Sequence, residues 1–138
     1  MAKGIFSRMA DIVKANINDL LNRAEDPEKM IRQMILEMEE AVNKATASVG
    51  TAVANEKRLE RQHLNEQDQI EAWQKKAELA VEAGEDDLAR RALERKTAIQ
   101  EAIGDLESAL EESQKTSTQL KQQLQQLKAK LDEARTRQ

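Results

Sequence analysis

The sequence has no cysteine and no tyrosine, and only one proline, one tryptophan and one phenylalanine. Aromatic residues make up 1% of the chain, so the large rings that fill many globular interiors are missing. Charged residues make up 35%, a composition typical of long helices and coiled coils. A pair of long helices encloses no pocket walled off from water. We therefore expect no enzymatic activity and no cofactor.

Other classes of function are disfavoured by what is scarce. With no cysteine and a single histidine, His63, the chain offers few ligands for a transition metal, so no metal site is expected. There is no phosphate-binding glycine loop and no nucleophile motif. The formal net charge is −4, and Lys and Arg are interleaved with acidic residues throughout. We therefore expect no nucleic-acid partner.

Most of the chain carries one repeated pattern. On both sides of residues 83–86, apolar and small residues recur in alternating steps of three and four, which is the heptad spacing of a coiled coil. If the chain reverses at Gly84, the facing positions have residue numbers that sum to 169. The predicted fold is all-α: a long antiparallel helical hairpin over 25–138, bent near 83–86, after a short amphipathic helix over 1–24. The seam of the hairpin is predicted to contain Met38, Val42, Val49, Leu59, Ile70, Trp73, Ile99, Leu110, Leu120 and Leu127.

Local signals mark the ends of the two arms. Gly84 is suited to the left-handed conformation that ends a helix, and Asp86 is expected to cap the next one. Asp26 followed by Pro27 predicts the start of the first arm and a joint before it. Opposite Trp73, the register places Lys96, which predicts a cation–π pair across the seam.

The first 23 residues form a segment of a different kind. Their apolar residues fall on about half of a helix circumference, with basic residues at its borders. No apolar run exceeds two residues, which excludes a membrane span. The segment has four basic and two acidic residues, whereas the rest of the chain has 18 basic and 24 acidic residues, so an anionic lipid surface is the expected partner. The predicted membrane-binding residues are Lys3, Ile5, Phe6, Arg8, Met9, Ile12, Val13, Lys14, Ile17, Leu20, Leu21 and Arg23.

A second interpretation of the same segment is that its apolar face packs against the hairpin or a neighbouring subunit. Met30 and Met34 lie beside the seam and are candidates for that contact. The two interpretations are compatible if the segment is sheltered in one state and lipid-bound in another.

Several short runs resemble the phage-shock protein A family, which includes the vesicle-inducing protein in plastids. At the N-terminus these are residues 4–8 (GIFSR), 11–13 (DIV), 15–18 (ANIN) and 24–31 (AEDPEKMI). Around the expected bend they are Trp73, residues 76–80 (KAELA) and residues 86–90 (DDLAR). The resemblance implies a fold similar to the ESCRT-III membrane-remodelling proteins, with an N-terminal membrane-binding helix followed by a helical hairpin.

The resemblance also implies a function. It indicates a cytoplasmic protein, peripheral on the inner membrane, that protects the membrane under stress and uses the hairpin to bind protein partners. An alternative is a soluble negative regulator whose hairpin binds an AAA+ activator of sigma-54 transcription, and a third is a plain coiled-coil scaffold. Self-association is expected. Because family members continue into further helices, we expect this chain to form a monomer or a small oligomer rather than rods.

The register of the hairpin can be tested by crosslinking, since the chain has no cysteine of its own. We expect Ala52→Cys combined with Ser117→Cys to form a disulfide within one chain upon oxidation, because these residues face each other in the predicted register. Pairing Ala52→Cys with Leu110→Cys or Leu124→Cys, two turns away, provides the control. A control pair that crosslinks more readily on denaturing gels than residues 52 and 117 would show that the register is wrong.

Overall fold

The computed structural model describes residue 14 and residues 16–137. They contain three helices: α1 (Ile17–Arg23), α2 (Pro27–Glu82) and α3 (Asp86–Thr136). The fold is all-α, with a short helix followed by two long paired helices, which confirms the predicted fold class. The chain divides into two compact units, which we describe separately. The bend unit comprises Val53–Thr116, and the end unit comprises the described residues up to Ala52 together with those from Ser117 onward.

The start of α2 follows the predicted signals. The Asp26 side chain accepts a hydrogen bond from the backbone N–H of Lys29 at 3.2 Å, and Pro27 is the first helical residue. Pro27 is tolerated here because an N–H in the first turn has no carbonyl partner within the helix. The Asp26 side chain therefore satisfies one of the free donors at the helix start.

In the bend unit, α2 ends in a tight turn at Gly84. Gly84 has φ of +75°, its N–H donates to the carbonyl of Val81, and the N–H of Glu85 donates to that of Ala80. This pair of bonds is the Schellman arrangement, in which glycine takes the left-handed position at little steric cost. The prediction that Asp86 caps the next helix is wrong. Because the turn is so short, Glu85 holds the position before α3, and Asp86 is already its first residue.

The arms of the bend unit pack closely where the seam residues are small. Ala77, Ala80, Ala89 and Ala92 are all buried. Further from the bend the seam becomes polar: Glu56, His63 and Glu66 are half-buried. Alanine lets the two backbones approach each other, whereas the polar stretch excludes water less completely.

Three polar contacts between the arms of the bend unit show the register. Asn55 Nδ2 lies 3.4 Å from Ser113 Oγ, and Lys96 Nζ donates to Gln74 Oε1 at 2.7 Å. His63 Nε2 lies 3.6 Å from Glu107 Oε2. The residue numbers of these pairs sum to 168 or 170, one either side of the predicted 169.

The prediction of a cation–π pair between Trp73 and Lys96 is wrong. Lys76 Nζ lies 4.2 Å from the centroid of the Trp73 ring, and the guanidinium carbon of Arg95 lies 5.7 Å from it. Lys96 instead hydrogen-bonds Gln74. A neighbour one turn along the same helix reaches the ring face more easily than the residue directly opposite.

In the end unit, α1 and the ends of both arms share one apolar core. Its buried members are Ile17, Ile31, Ile35, Met38, Leu131 and Ala134. A second cluster beside it contains Ala41, Ala45 and Leu127. Ser117 is also buried, and its hydroxyl has no hydrogen-bond partner in the part of the chain that the structure describes. Every predicted seam position that the structure describes, in either unit, is buried or half-buried.

Two glycines of the bend unit provide a matched test of this fold. Gly84→Ala places a Cβ on a left-handed residue and should destabilise the chain by about 1–2 kcal/mol. Gly104→Ala lies inside α3, where an added Cβ meets nothing within 4 Å, and should stabilise by about 0.5–1 kcal/mol. Urea unfolding followed by circular dichroism measures both. Shifts of the same sign for the two variants would contradict the bend geometry.

Candidate functional site

The predicted membrane-binding residues fall into two groups. Five lie in the described part of the chain: Lys14 and Arg23 are exposed, Leu20 and Leu21 are half-buried, and Ile17 is fully buried. The others lie outside the described residues: Lys3, Ile5, Phe6, Arg8, Met9, Ile12 and Val13. The described residues therefore include part of the apolar face and two of its basic borders.

Asn16, which lies within the helix predicted over 1–24, is not helical. This residue has extended backbone angles (φ −93°, ψ 107°), and its side chain accepts a hydrogen bond from the N–H of Asp19 at 3.3 Å. Asparagine is among the best N-capping residues because its short amide reaches the free N–H groups of the first turn. At the other end, Ala24 is extended as well. The seven residues of α1 thus form a separate helix with an extended residue on each side.

Within the end unit, the apolar side of α1 packs onto the two arms. Ile17 is 0% exposed, and Leu21 packs against the same cluster, as does Met34 of α2. Seven residues are too few for a stable isolated helix in water, so this packing is what holds α1 in a helix. For Ile17 and Leu21 the structure therefore shows the second interpretation, in which the face docks on the hairpin. Met34, beside the seam, does contact the cluster that contains Ile17.

A polar contact accompanies the apolar one. The guanidinium of Arg137 donates to the side-chain oxygen of Asn18, which joins α1 to the residues that follow α3. Nearby, Arg135 Nη2 lies 2.8 Å from Glu39 Oε2, a contact between the two arms in the end unit. Both pairs are largely exposed, so each adds orientation more than stability.

The bend unit presents a second candidate surface, which the heptad pattern does not predict. Large apolar side chains stand exposed near the turn: Leu79 is 64% exposed, Val81 60% and Leu88 51%. Together with Leu93 they form what we call the bend surface. In the sequence, these residues are apolar and lie outside the heptad seam. That combination is the signal that could have identified them as an exposed apolar surface.

The bend surface has two sides. On one, Trp73, Leu79, Ala83 and Leu88 line an open groove of about 310 Å³. Lys76 and Arg95 lie over the Trp73 ring beside this groove, and neither is within ion-pair distance of a carboxylate among the described residues. On the other side, Val81 and Leu93 line a shallower groove together with Glu78 and Glu82. The first groove is thus lined by apolar residues together with Lys76 and Glu85, and the second by apolar residues together with two glutamates.

Residues 14 and 16–137 contain no group of three His, Asp or Glu side chains placed to hold a metal ion. Within the same part of the chain, no helix is long and apolar enough to cross a bilayer.

The fold and its surfaces define a class of protein: a helical hairpin whose contact surfaces lie on the outside of its helices. A sequence model of the PspA/IM30 family matches residues 4–138, and the chain belongs to this family. The resemblance found in the sequence is thereby confirmed. The family consists of membrane-associated stress proteins that are not enzymes.

Individual relatives agree with this assignment. Over 97% of its length, the chain is 42% identical to the membrane-associated protein Vipp1 of Nostoc punctiforme, covering 52% of that protein. Over 94% of its length, it is 37% identical to the phage shock protein A homologue of Deinococcus radiodurans, covering 58% of it. A chloroplastic membrane-associated VIPP1 of Arabidopsis thaliana is 29% identical over 96% of the chain. The chain spans about half the length of the curated relatives it matches.

Proposed function

We propose that this protein binds the surface of an anionic membrane through its N-terminal segment and maintains or remodels that membrane under stress. The observation that carries the proposal is the charge and apolar pattern of residues 1–23, which has no counterpart elsewhere in the sequence. Its relatives are named membrane-associated proteins, which supports the same function here. In a bacterial cell the corresponding location is the cytoplasmic side of the inner membrane.

Burial in the end unit reduces the number of predicted residues that are free to bind lipid. As long as Ile17 and Leu21 are packed against the arms, they are not free to enter a bilayer. The apolar residues left for lipid contact are the half-buried Leu20 and those before Asn16, namely Ile5, Phe6, Met9, Ile12 and Val13. Lys3 and Arg8 border them, and the exposed Lys14 and Arg23 add positive charge near the surface. Each such cation contributes about 1 kcal/mol near an anionic leaflet.

The hairpin provides surfaces for protein partners in this proposal. The bend surface favours that role because several large apolar side chains are exposed together near one turn. Its two grooves combine apolar area with charged borders, which suits self-association or contact with another protein. The same observation favours the second candidate function, in which the hairpin restrains an AAA+ activator of sigma-54 transcription, as the resemblance implies. That function does not require lipid.

Vesicle co-sedimentation tests the proposed lipid binding. Phe6→Glu replaces a large apolar side chain in the middle of the predicted face with a charge. Burial of one such side chain contributes about 1.5–3 kcal/mol, so binding to anionic vesicles should weaken at least about ten-fold. Ser7→Glu is the matched control, since it adds the same charge on the polar face and should have a much smaller effect. Binding of the unmodified chain should be weaker on neutral vesicles and should fall with added salt.

Deletion of residues 2–15 completes the experiment, because it removes the proposed lipid-binding residues and leaves α1 on the end unit. The shortened chain should remain in the supernatant. Equal sedimentation of the intact and shortened chains would refute the lipid proposal and favour the soluble regulator.

A further inference from the structure

The residues on the apolar side of α1 belong both to the apolar face of the N-terminal segment and to the core of the end unit. In the sequence, Ile17, Leu20 and Leu21 continue the apolar face that begins at Ile5. In the structure, Ile17 is fully buried in the end unit and Leu21 packs beside it. One side chain cannot be buried in a protein core and in lipid at the same time. The two environments therefore compete for the same residues.

The ends of α1 permit such a change of position. Asn16 and Ala24 are both extended, so α1 is connected to its neighbours by non-helical residues on each side. The start of α2 is secured separately by Asp26. Movement of α1 thus requires no change in the arms. The only proline of the chain is Pro27, so no residue between 1 and 24 prevents a helix from continuing through Asn16.

We infer that α1 is a latch with two mutually exclusive positions, one packed on the end unit and one forming a continuous lipid-bound helix with the residues before it. In the packed position, the end unit withholds Ile17 and Leu21 from the membrane. Lipid binding draws α1 away and uncovers Ile31, Ile35, Met38, Leu131 and Ala134. This inference rests on the proposed lipid binding and adds that binding exposes the residues that α1 covers in the end unit.

Ala134→Glu tests the latch without changing any residue of the N-terminal segment. Ala134 is 0% exposed in the α1 cluster, so a glutamate there disfavours the packed position. We expect affinity for anionic vesicles to rise about five-fold or more, the range of ordinary allosteric coupling, although the added charge alone would lower it. The matched control is Thr136→Glu, an exposed position one half-turn further along α3, which should bind no more tightly than the unmodified chain.

A second substitution shows whether the gain depends on α1. Adding Ile17→Gln to Ala134→Glu should abolish the increase, because Ile17 is then unsuited to lipid. If the gain persisted, it would come from a disturbed seam, and the latch would be wrong. Far-ultraviolet circular dichroism of each variant verifies that the arms remain helical.

The opposite manipulation holds α1 in place. Asn18 and Arg137 are in contact, so Asn18→Cys with Arg137→Cys can be joined by a short bismaleimide in a chain that has no other cysteine. The joined protein should bind vesicles about five-fold more weakly or worse than the same variant capped with N-ethylmaleimide. Equal binding of both forms, or no gain from Ala134→Glu, would overturn the latch while leaving lipid binding intact. Absence of vesicle binding by the unmodified chain would overturn both proposals.

Discussion

The structure depends on burial of a single stripe of side chains along each arm. Each arm is a helix of more than 50 residues, and 35% of the residues in the chain are charged, so each arm has one apolar stripe. Only a second stripe of matching spacing can cover it. In the bend unit this stripe is made of alanine near the turn and becomes polar further along. In the end unit it is made of larger aliphatic residues that also accept α1. Because the residues of the stripe fill the space between the arms, functional contacts must lie on the outer faces of the helices or at their ends.

Sequence reasoning succeeded where the signal is local or periodic. The seam follows from spacing alone, and residues such as Met38, Leu59 and Leu127 are buried where the heptads place them. The turn at Gly84 and the start at Pro27 follow from the backbone preferences of glycine and proline. These features depend on the identity of one or a few residues, so they can be predicted without knowledge of the remaining contacts.

Prediction was less complete where alternatives lie close in free energy. The partner of Trp73 depends on which of several long cationic side chains reaches its ring, and the register alone does not decide between Lys76, Arg95 and Lys96. The interruption at Asn16 depends on a side-chain cap in competition with continued helix. The exposed apolar residues of the bend surface lie outside the heptad positions, so the seam pattern does not predict them. Each case involves a choice between neighbours rather than an absence of pattern.

The proposed function depends on the placement of α1. This helix lies in the chain between the residues proposed to meet lipid and the first arm, and it packs on residues from both arms of the end unit. In the latch that we propose, lipid contact is transmitted to the hairpin through a few buried side chains. The protein contact that we propose uses the residues of the bend surface, which differ from those proposed to meet lipid, so the two kinds of partner need not compete for the same residues.

The most direct test of this division uses Trp73, the only tryptophan, as a reporter of the bend surface. Fluorescence is measured on anionic vesicles that contain brominated lipid, which quenches only a tryptophan in contact with the acyl chains. Trp73 emission should be unaffected, whereas a tryptophan at position 6, introduced as Phe6→Trp in a Trp73→Phe background, should be quenched. Strong quenching of Trp73 with none at position 6 would show that the bend, and not the N-terminal segment, meets the membrane.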